Sequence, residues 1–68
     1  MNDTPNPLSP RERDVLRSFE RGLSTKDISE EWGLHKGTVS AHIRLIHAKL
    51  GVKTVPQAVA VAVRKGWI

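Results

Sequence analysis

The sequence predicts an all-α domain with four helices, at about 10–21, 25–32, 36–50 and 55–65. Apolar residues recur at helical spacing along the chain, and capping signals precede three of the four runs. The chain has 68 residues and no internal repeat, which leaves room for a single small core. These observations together predict one helical domain over residues 8–68, preceded by a flexible leader or linker remnant over residues 1–7.

The first two helices are predicted from their caps. Ser9-Pro10-Arg11-Glu12 has the order of a capping box, with proline at the first helical position and glutamate three residues after the serine. Ser24 and Asp27 repeat this spacing before a shorter run that Gly33 ends. Because so short a helix would not persist alone in water, packing against the rest of the domain must hold it.

The third helix is predicted from an apolar stripe, and the fourth from a cap. The stripe consists of Val39, Ile43, Ile46 and Leu50, all on one helical face, and a glycine follows it. The alternation within 59–63 also resembles a strand, but a lone strand would have no partner in this chain. We therefore expect a helix capped by Thr54, with its core face formed by Val55, Ala58, Val59, Ala62 and Val63.

Helices 25–32 and 36–50 are joined by three residues, the arrangement of a helix-turn-helix. Gly33 tolerates the positive φ that so sharp a reversal requires. Opposite the apolar stripe, the third helix carries Gly37, Ala41, Arg44 and Ala48, with Thr38, Ser40 and Leu45 beside them. This face is rich in small side chains and has one long cation and no acid. Small residues permit close approach to the floor of a major groove, and arginine can donate two hydrogen bonds to guanine. The pattern favours duplex DNA as the partner over an ordinary solvated face.

Charge is distributed unevenly along the chain. The net charge is +4, yet every acid lies at or before Glu31, so residues 32–68 carry six basic residues and no acid. A wholly cationic C-terminal half suits a polyanion, although a solvated basic surface is the alternative from charge alone.

Composition excludes several other classes of protein. The chain has no cysteine, which rules out a disulfide scaffold, a cysteine-based zinc site and a thiol nucleophile. The longest apolar run, Ala58–Val63, is far too short for a membrane span, and Met1–Pro7 lacks the order of a signal peptide. The absence of cysteine is compatible with a reducing cytoplasm, and we expect neither export nor association with a membrane.

No metal site or catalytic group is predicted. His35, His42 and His47 are seven and five residues apart, whereas a helical metal pair needs a spacing of three or four. Glu12 and Asp14 lie on different sides of one helix, and the serines lack a plausible base. We expect no cofactor, no small-molecule ligand in this domain and no enzymatic activity.

An ordered set of motifs extends from Leu8 to Ile68. It comprises Leu8-Ser9-Pro10-Arg11-Glu12-Arg13-Asp14-Val15-Leu16, Gly22-Leu23-Ser24-Thr25-Lys26-Asp27-Ile28-Ser29, Gly33-Leu34, Thr38-Val39, His42, Lys49-Leu50-Gly51-Val52 and Gln57-Ala58-Val59. This set resembles the LuxR-type (GerE-like) helix-turn-helix, as in the effector domains of NarL/FixJ-type response regulators. The resemblance covers nearly the whole chain, and as an ordered set its motifs are highly specific.

The resemblance implies a role for each matching position. Residues 36–50 would be the recognition helix in the major groove, with base edges contacted by Ser40, Ala41 and Arg44. The phosphates would be faced by Thr25, Lys26, Lys36, Thr38, His42 and Lys49. The fourth helix would form a weak homodimer, assisted by DNA, through Gln57, Ala60, Val61 and Arg64.

Four positions depart from the usual pattern of this family. Ser40 stands where lysine is common, and Leu45 stands where asparagine or another polar residue is common. His47 replaces an apolar residue, while Trp32 replaces leucine and is expected to enlarge the core. These departures bear on the target sequence and affinity more than on the fold.

The rival hypothesis is a protein-interaction module that uses the same fold to dock another regulator or RNA polymerase. The apolar character of residues 58–63 and the absence of lysine at position 40 favour it. RNA polymerase is also a candidate partner of a DNA-bound regulator.

Overall fold

The computed structural model describes residues 5–68, and this part of the chain contains four α-helices and no strand. The helices are α1 (Pro10–Glu20), α2 (Thr25–Trp32), α3 (Lys36–Leu50) and α4 (Val55–Arg64). Every boundary lies within one residue of its predicted position, so the all-α prediction is confirmed. The leader predicted over residues 1–7 falls partly outside the described residues, and its flexibility stays a prediction.

Both predicted capping boxes are present. Ser9 Oγ accepts a hydrogen bond from the Glu12 amide at 3.2 Å, and Glu12 Oε1 accepts one from the Ser9 amide at 2.8 Å. Ser24 and Asp27 form the same reciprocal pair at the start of α2, at 3.1 and 2.9 Å. The hydrogen bonds that Ser24 donates lower the pKa of the Asp27 carboxyl group.

The core lies where α1 packs against α3 and α4, while α2 packs against α3. Its buried side chains come from the N-terminal segment and from three helices, and they are Leu8, Val15, Leu16, Ile46, Ala58 and Ala62. The two alanines of α4 are completely buried, so the α4 backbone approaches its neighbours closely. Trp32 packs against the edge of this core, as predicted, with its side chain half-buried.

The prediction that Val63 belongs to the core face of α4 is wrong. Val63 is 53% exposed, whereas Ala62, its neighbour in the chain, is 0% exposed. Successive residues on a helix point about 100° apart, and the contact face of α4 is centred on Ala58 and Ala62. Val63 lies beyond the edge of that narrow face, so its side chain remains in solvent.

The N-terminal segment is joined by hydrogen bonds to the C-terminal end of the chain. Asn6 Oδ1 accepts a hydrogen bond from the Leu8 amide at 2.9 Å, and Asn6 Nδ2 donates one to the Trp67 carbonyl at 3.2 Å. Leu8 is buried, so the chain is already part of the packed structure before α1 begins.

Candidate nucleic-acid interface

The interface is built on the outward face of α3. Val39 and Ile46 are buried and Ile43 and Leu50 are half-buried, so the predicted apolar stripe faces the rest of the domain. The opposite side of α3 is therefore largely turned to solvent. At 1.5 Å per residue the fifteen residues of α3 span about 22 Å, long enough to lie along a major groove.

The predicted base-contacting residues lie together on this side of α3. Ser40 and Arg44 are exposed one turn apart, and Ala41, the residue after Ser40, is half-buried. Arg44 makes no ion pair or hydrogen bond with other side chains in residues 5–68. Its guanidinium group is therefore free to donate to a base. The structure brings these three residues together on α3, and their contact with bases stays a prediction.

The turn between α2 and α3 fixes the angle at which α3 is presented. Gly33 adopts the left-handed conformation, with φ 65° and ψ 32°, and the Leu34 amide donates to the Ser29 carbonyl at 2.9 Å. Ser29 is buried, and its hydroxyl group donates to the Lys26 carbonyl at 2.9 Å. These bonds fix the turn at the end of α2, and α2 also packs directly against α3, so the turn and this packing together set the direction of α3 relative to α2.

The cap of α3 was missed by sequence reasoning. His35 precedes the helix, and its Nδ1 accepts a hydrogen bond from the Gly37 amide at 3.2 Å. Histidine is not among the usual capping residues, so no standard signal announces this contact. The bond turns the His35 imidazole back onto the first turn of α3.

The predicted phosphate-facing residues fall into two groups around α3. Thr25 is half-buried at the start of α2. The next residue, Lys26, is exposed, and its Nζ lies 3.9 Å from Glu30 Oε1 in a solvent-exposed ion pair. An exposed pair of this kind is weak and leaves the lysine available to another anion. The second group belongs to α3, where Lys36 and Thr38 are exposed at its start.

His42 and Lys49 are the other two predicted phosphate-facing residues, and their surroundings differ. His42 is half-buried, and its imidazole makes no hydrogen bond within residues 5–68. Lys49 Nζ donates to Glu12 Oε1 at 2.7 Å, with the lysine side chain 37% exposed and the glutamate only 4%. Lys49 therefore has a structural partner that the sequence did not reveal, and its contact with phosphate stays a prediction.

The carboxyl group of Glu12 is held ionised by its surroundings. Burial alone would raise the pKa of Glu12, but the Lys49 ammonium and the hydrogen bonds from Ser9 outweigh it, so the pKa is lowered. Glu12 thus caps α1 and binds α3 with the same oxygen atom.

The predicted dimer residues line one open groove beside the turn that precedes α4. The groove has a volume of about 460 Å³ and is lined by Gly51, Val52, Lys53, Gln57, Ala60, Val61 and Arg64. Gln57 Oε1 accepts a hydrogen bond from the Lys53 amide at 3.0 Å, which fixes one edge of the groove. Ala60 is exposed and Val61 is half-buried, so the centre of this surface is apolar.

Two findings concern metal binding and membranes in the part of the chain that the structure describes. Residues 5–68 contain no group of three or more histidine, aspartate or glutamate residues placed to hold a metal ion. None of their helices is long and apolar enough to cross a membrane.

The geometry defines a four-helix helix-turn-helix domain with a cationic, acid-free α3. Residues 6–62 match the model of the family described as bacterial regulatory proteins, luxR family. The chain therefore belongs to the LuxR family of transcriptional regulators, a family of DNA-binding proteins, and the resemblance noted in the sequence is confirmed.

Similar proteins agree with this assignment. The chain is 44% identical over 63 residues to the uncharacterized transcriptional regulatory protein YvfU of Bacillus subtilis (strain 168), covering 93% of this chain and 32% of that protein. It is 40% identical over 62 residues to the transcriptional regulatory protein DesR of the same organism, covering 91% of this chain and 31% of that protein. The chain thus spans about a third of the length of these relatives.

A solved structure has the same fold. It is the crystal structure of the response regulator ChrA in a heme-sensing two-component system, which matches with a TM-score of 0.87 and 30% identity. The match covers 97% of this chain and 33% of ChrA. The four-helix architecture is therefore that of a response-regulator helix-turn-helix domain.

Proposed function

We propose that this domain binds duplex DNA in a sequence-specific manner by placing α3 in the major groove. In this proposal it regulates bacterial transcription while associated with the nucleoid in the cytoplasm. One observation carries the proposal. The exposed side of α3 combines small side chains with an unpaired Arg44, and it contains no acid. Such a surface fits a groove lined with hydrogen-bond acceptors and flanked by phosphates.

Contacts to the backbone would come from both sides of α3. Lys26 at the start of α2, together with Lys36 and Thr38 at the start of α3, supplies exposed donors along the edges of the helix. Thr25, His42 and Lys49 complete the proposed phosphate set. Contacts of this kind position the protein, while Ser40, Ala41 and Arg44 would discriminate between bases.

We further propose that two copies bind side by side through α4. The surface formed by Gln57, Ala60, Val61 and Arg64 is apolar at its centre and small in area. A small interface gives a weak dimer in solution, so binding to adjacent half-sites about one helical turn apart would assist the dimer. RNA polymerase would be a later partner of the DNA-bound form.

The decisive experiment measures affinity for a random-sequence duplex as a function of salt concentration. The logarithm of the association constant should fall against the logarithm of salt concentration with a slope of about −0.9 per phosphate contact. A flat response would overturn DNA binding and favour the rival class, a protein-docking module, since apolar contacts between proteins respond little to salt.

A further inference from the structure

Leu45 is an exposed apolar side chain on the outward face of α3. It is 54% exposed, and the only other large hydrophobic residue with comparable exposure in residues 5–68 is Val63 of α4. Single exposed apolar residues are common on protein surfaces and need no explanation by themselves. The position of Leu45, next to Arg44 and one turn after Ala41, gives this one a specific environment.

Leu45 and Arg44 occupy opposite flanks of the outward face. The apolar stripe fixes which side of α3 faces the core. Successive residues on a helix point about 100° apart, so Arg44 and Leu45 lie on either side of the line that points directly away from the core. Ala41 and Ala48 lie between them and are too short to cover either one. In a groove, the two long side chains would therefore meet neighbouring base pairs.

The neighbouring lysine does not shield Leu45. Lys49 lies one turn further along the same flank, where a flexible lysine could lie over an exposed leucine. Its ammonium group is instead held by Glu12 Oε1 at 2.7 Å, on the α1 side. Leu45 is thus left without a cation above it, facing the region that DNA would occupy.

The major groove offers one apolar group to such a side chain. Every base pair presents hydrogen-bond donors or acceptors there, and only thymine adds a methyl group. Leucine can neither donate nor accept a hydrogen bond, so opposite cytosine or guanine it would remove water from a polar atom and return nothing. The favourable neighbour is the thymine C5 methyl group.

We propose that Leu45 is a specificity-determining residue that selects a thymine beside the base pair contacted by Arg44, through contact with the thymine methyl group. This inference rests on the proposed DNA binding and extends it to a position outside the base-contacting set already assigned.

The test removes the methyl group without altering hydrogen bonding. A selection from a random duplex pool gives the preferred site, and deoxyuridine then replaces each thymine of that site in turn. The wild-type protein should lose affinity about four-fold at one thymine, the factor that corresponds to one buried methyl-sized group. Leu45→Ala should bind the thymine and deoxyuridine duplexes equally at that position.

Val63→Ala is the matched control, because Val63 is equally exposed but lies on α4. It should keep the wild-type response to deoxyuridine at every position. The proposal is overturned if no thymine of the site is methyl-sensitive, or if Leu45→Ala retains the wild-type sensitivity. In either case, a steep salt dependence of duplex binding by the wild-type protein would show that the proposed DNA binding is still correct. If the wild-type protein bound no duplex at all, both the role of Leu45 and the proposed DNA binding would be overturned.

Discussion

Lys49 Nζ lies 2.7 Å from Glu12 Oε1 and links residues 37 positions apart in the chain. The same carboxyl oxygen accepts the Ser9 amide at the start of α1. A single side chain therefore caps one helix and fastens another, which ties the orientation of α3 to the start of α1. The position of the candidate DNA interface thus depends on a residue that does not belong to it.

Replacing Glu12 should destabilise the domain. In Glu12→Gln the amide oxygen can still accept the Ser9 amide, but the charge opposite Lys49 is lost, and hydrogen bonds to charged groups are the stronger kind. We expect a loss of about 1–3 kcal/mol in the free energy of unfolding, measured by urea denaturation. Asp14→Asn is the control, because the ion pair of Asp14 with Arg17 is 3.5 Å long and exposed. It should change stability by less than about 0.5 kcal/mol, and an equal effect of both variants would contradict this role.

The contribution of Glu12 should depend on pH in a defined direction. Its pKa in the folded protein is lowered from the ordinary value of 4.5, so the stabilisation is present above that value and is lost as pH falls through the lower, folded-state pKa. Wild type and Glu12→Gln should therefore differ in stability at pH 7 and converge in strong acid. Unfolding curves from pH 7 to pH 2.5 test this, and a constant difference over that range would be inconsistent with it.

Arg44 and Lys26 should have different effects on DNA recognition. Arg44→Ala removes the long donor of the outward face and should cost about 1–3 kcal/mol at one base pair, relaxing the consensus there. Lys26→Ala should weaken binding to all sequences about equally. It should also make the slope of log K against the logarithm of salt concentration less negative by about 0.9, the contribution of one phosphate contact. Sequence selection with each variant distinguishes the two, and an unchanged consensus for Arg44→Ala would show that the face is wrongly assigned.

Val61 should control cooperative binding to paired half-sites. Val61→Glu places a negative charge in the groove beside Lys53 without altering α3. In a two-fold symmetric dimer through this groove, the two introduced glutamates would face and repel each other. It should abolish cooperativity on a duplex with two half-sites and leave the affinity for one half-site nearly intact. Val63→Glu is the matched control, because that valine is exposed outside the groove. Undiminished cooperativity of a folded Val61→Glu protein would exclude this interface.

Sequence patterns predicted the helices well because their causes are local. Capping boxes at Ser9 and Ser24 and left-handed glycines at Gly33 and Gly51 act within a few residues, and the structure contains each of them. The Glu12–Lys49 pair could not be predicted, since it depends on the packing of α1 against α3. Val63 was misplaced for a related reason: periodicity indicates a direction around a helix, but the neighbours decide how wide the buried sector is.

For the candidate site, the sequence predicts which residues are exposed but not which residues they contact. Ser40 and Arg44 were recognised from their place opposite the apolar stripe, and both are exposed as expected. Lys49 was assigned by resemblance, and only the three-dimensional structure shows its bond to Glu12. His35 went unnoticed as a cap because its residue type carries no capping signal.

The division of α3 into two faces has an evolutionary consequence. Val39 and Ile46 hold the helix in the core, while Arg44, Leu45 and Ala48 contribute little buried surface. Substitutions in the second set should therefore leave folding almost unaffected, since surface changes usually alter stability by less than about 0.5 kcal/mol. A gene encoding this domain can thus diverge toward new operators after duplication without first losing a folded protein.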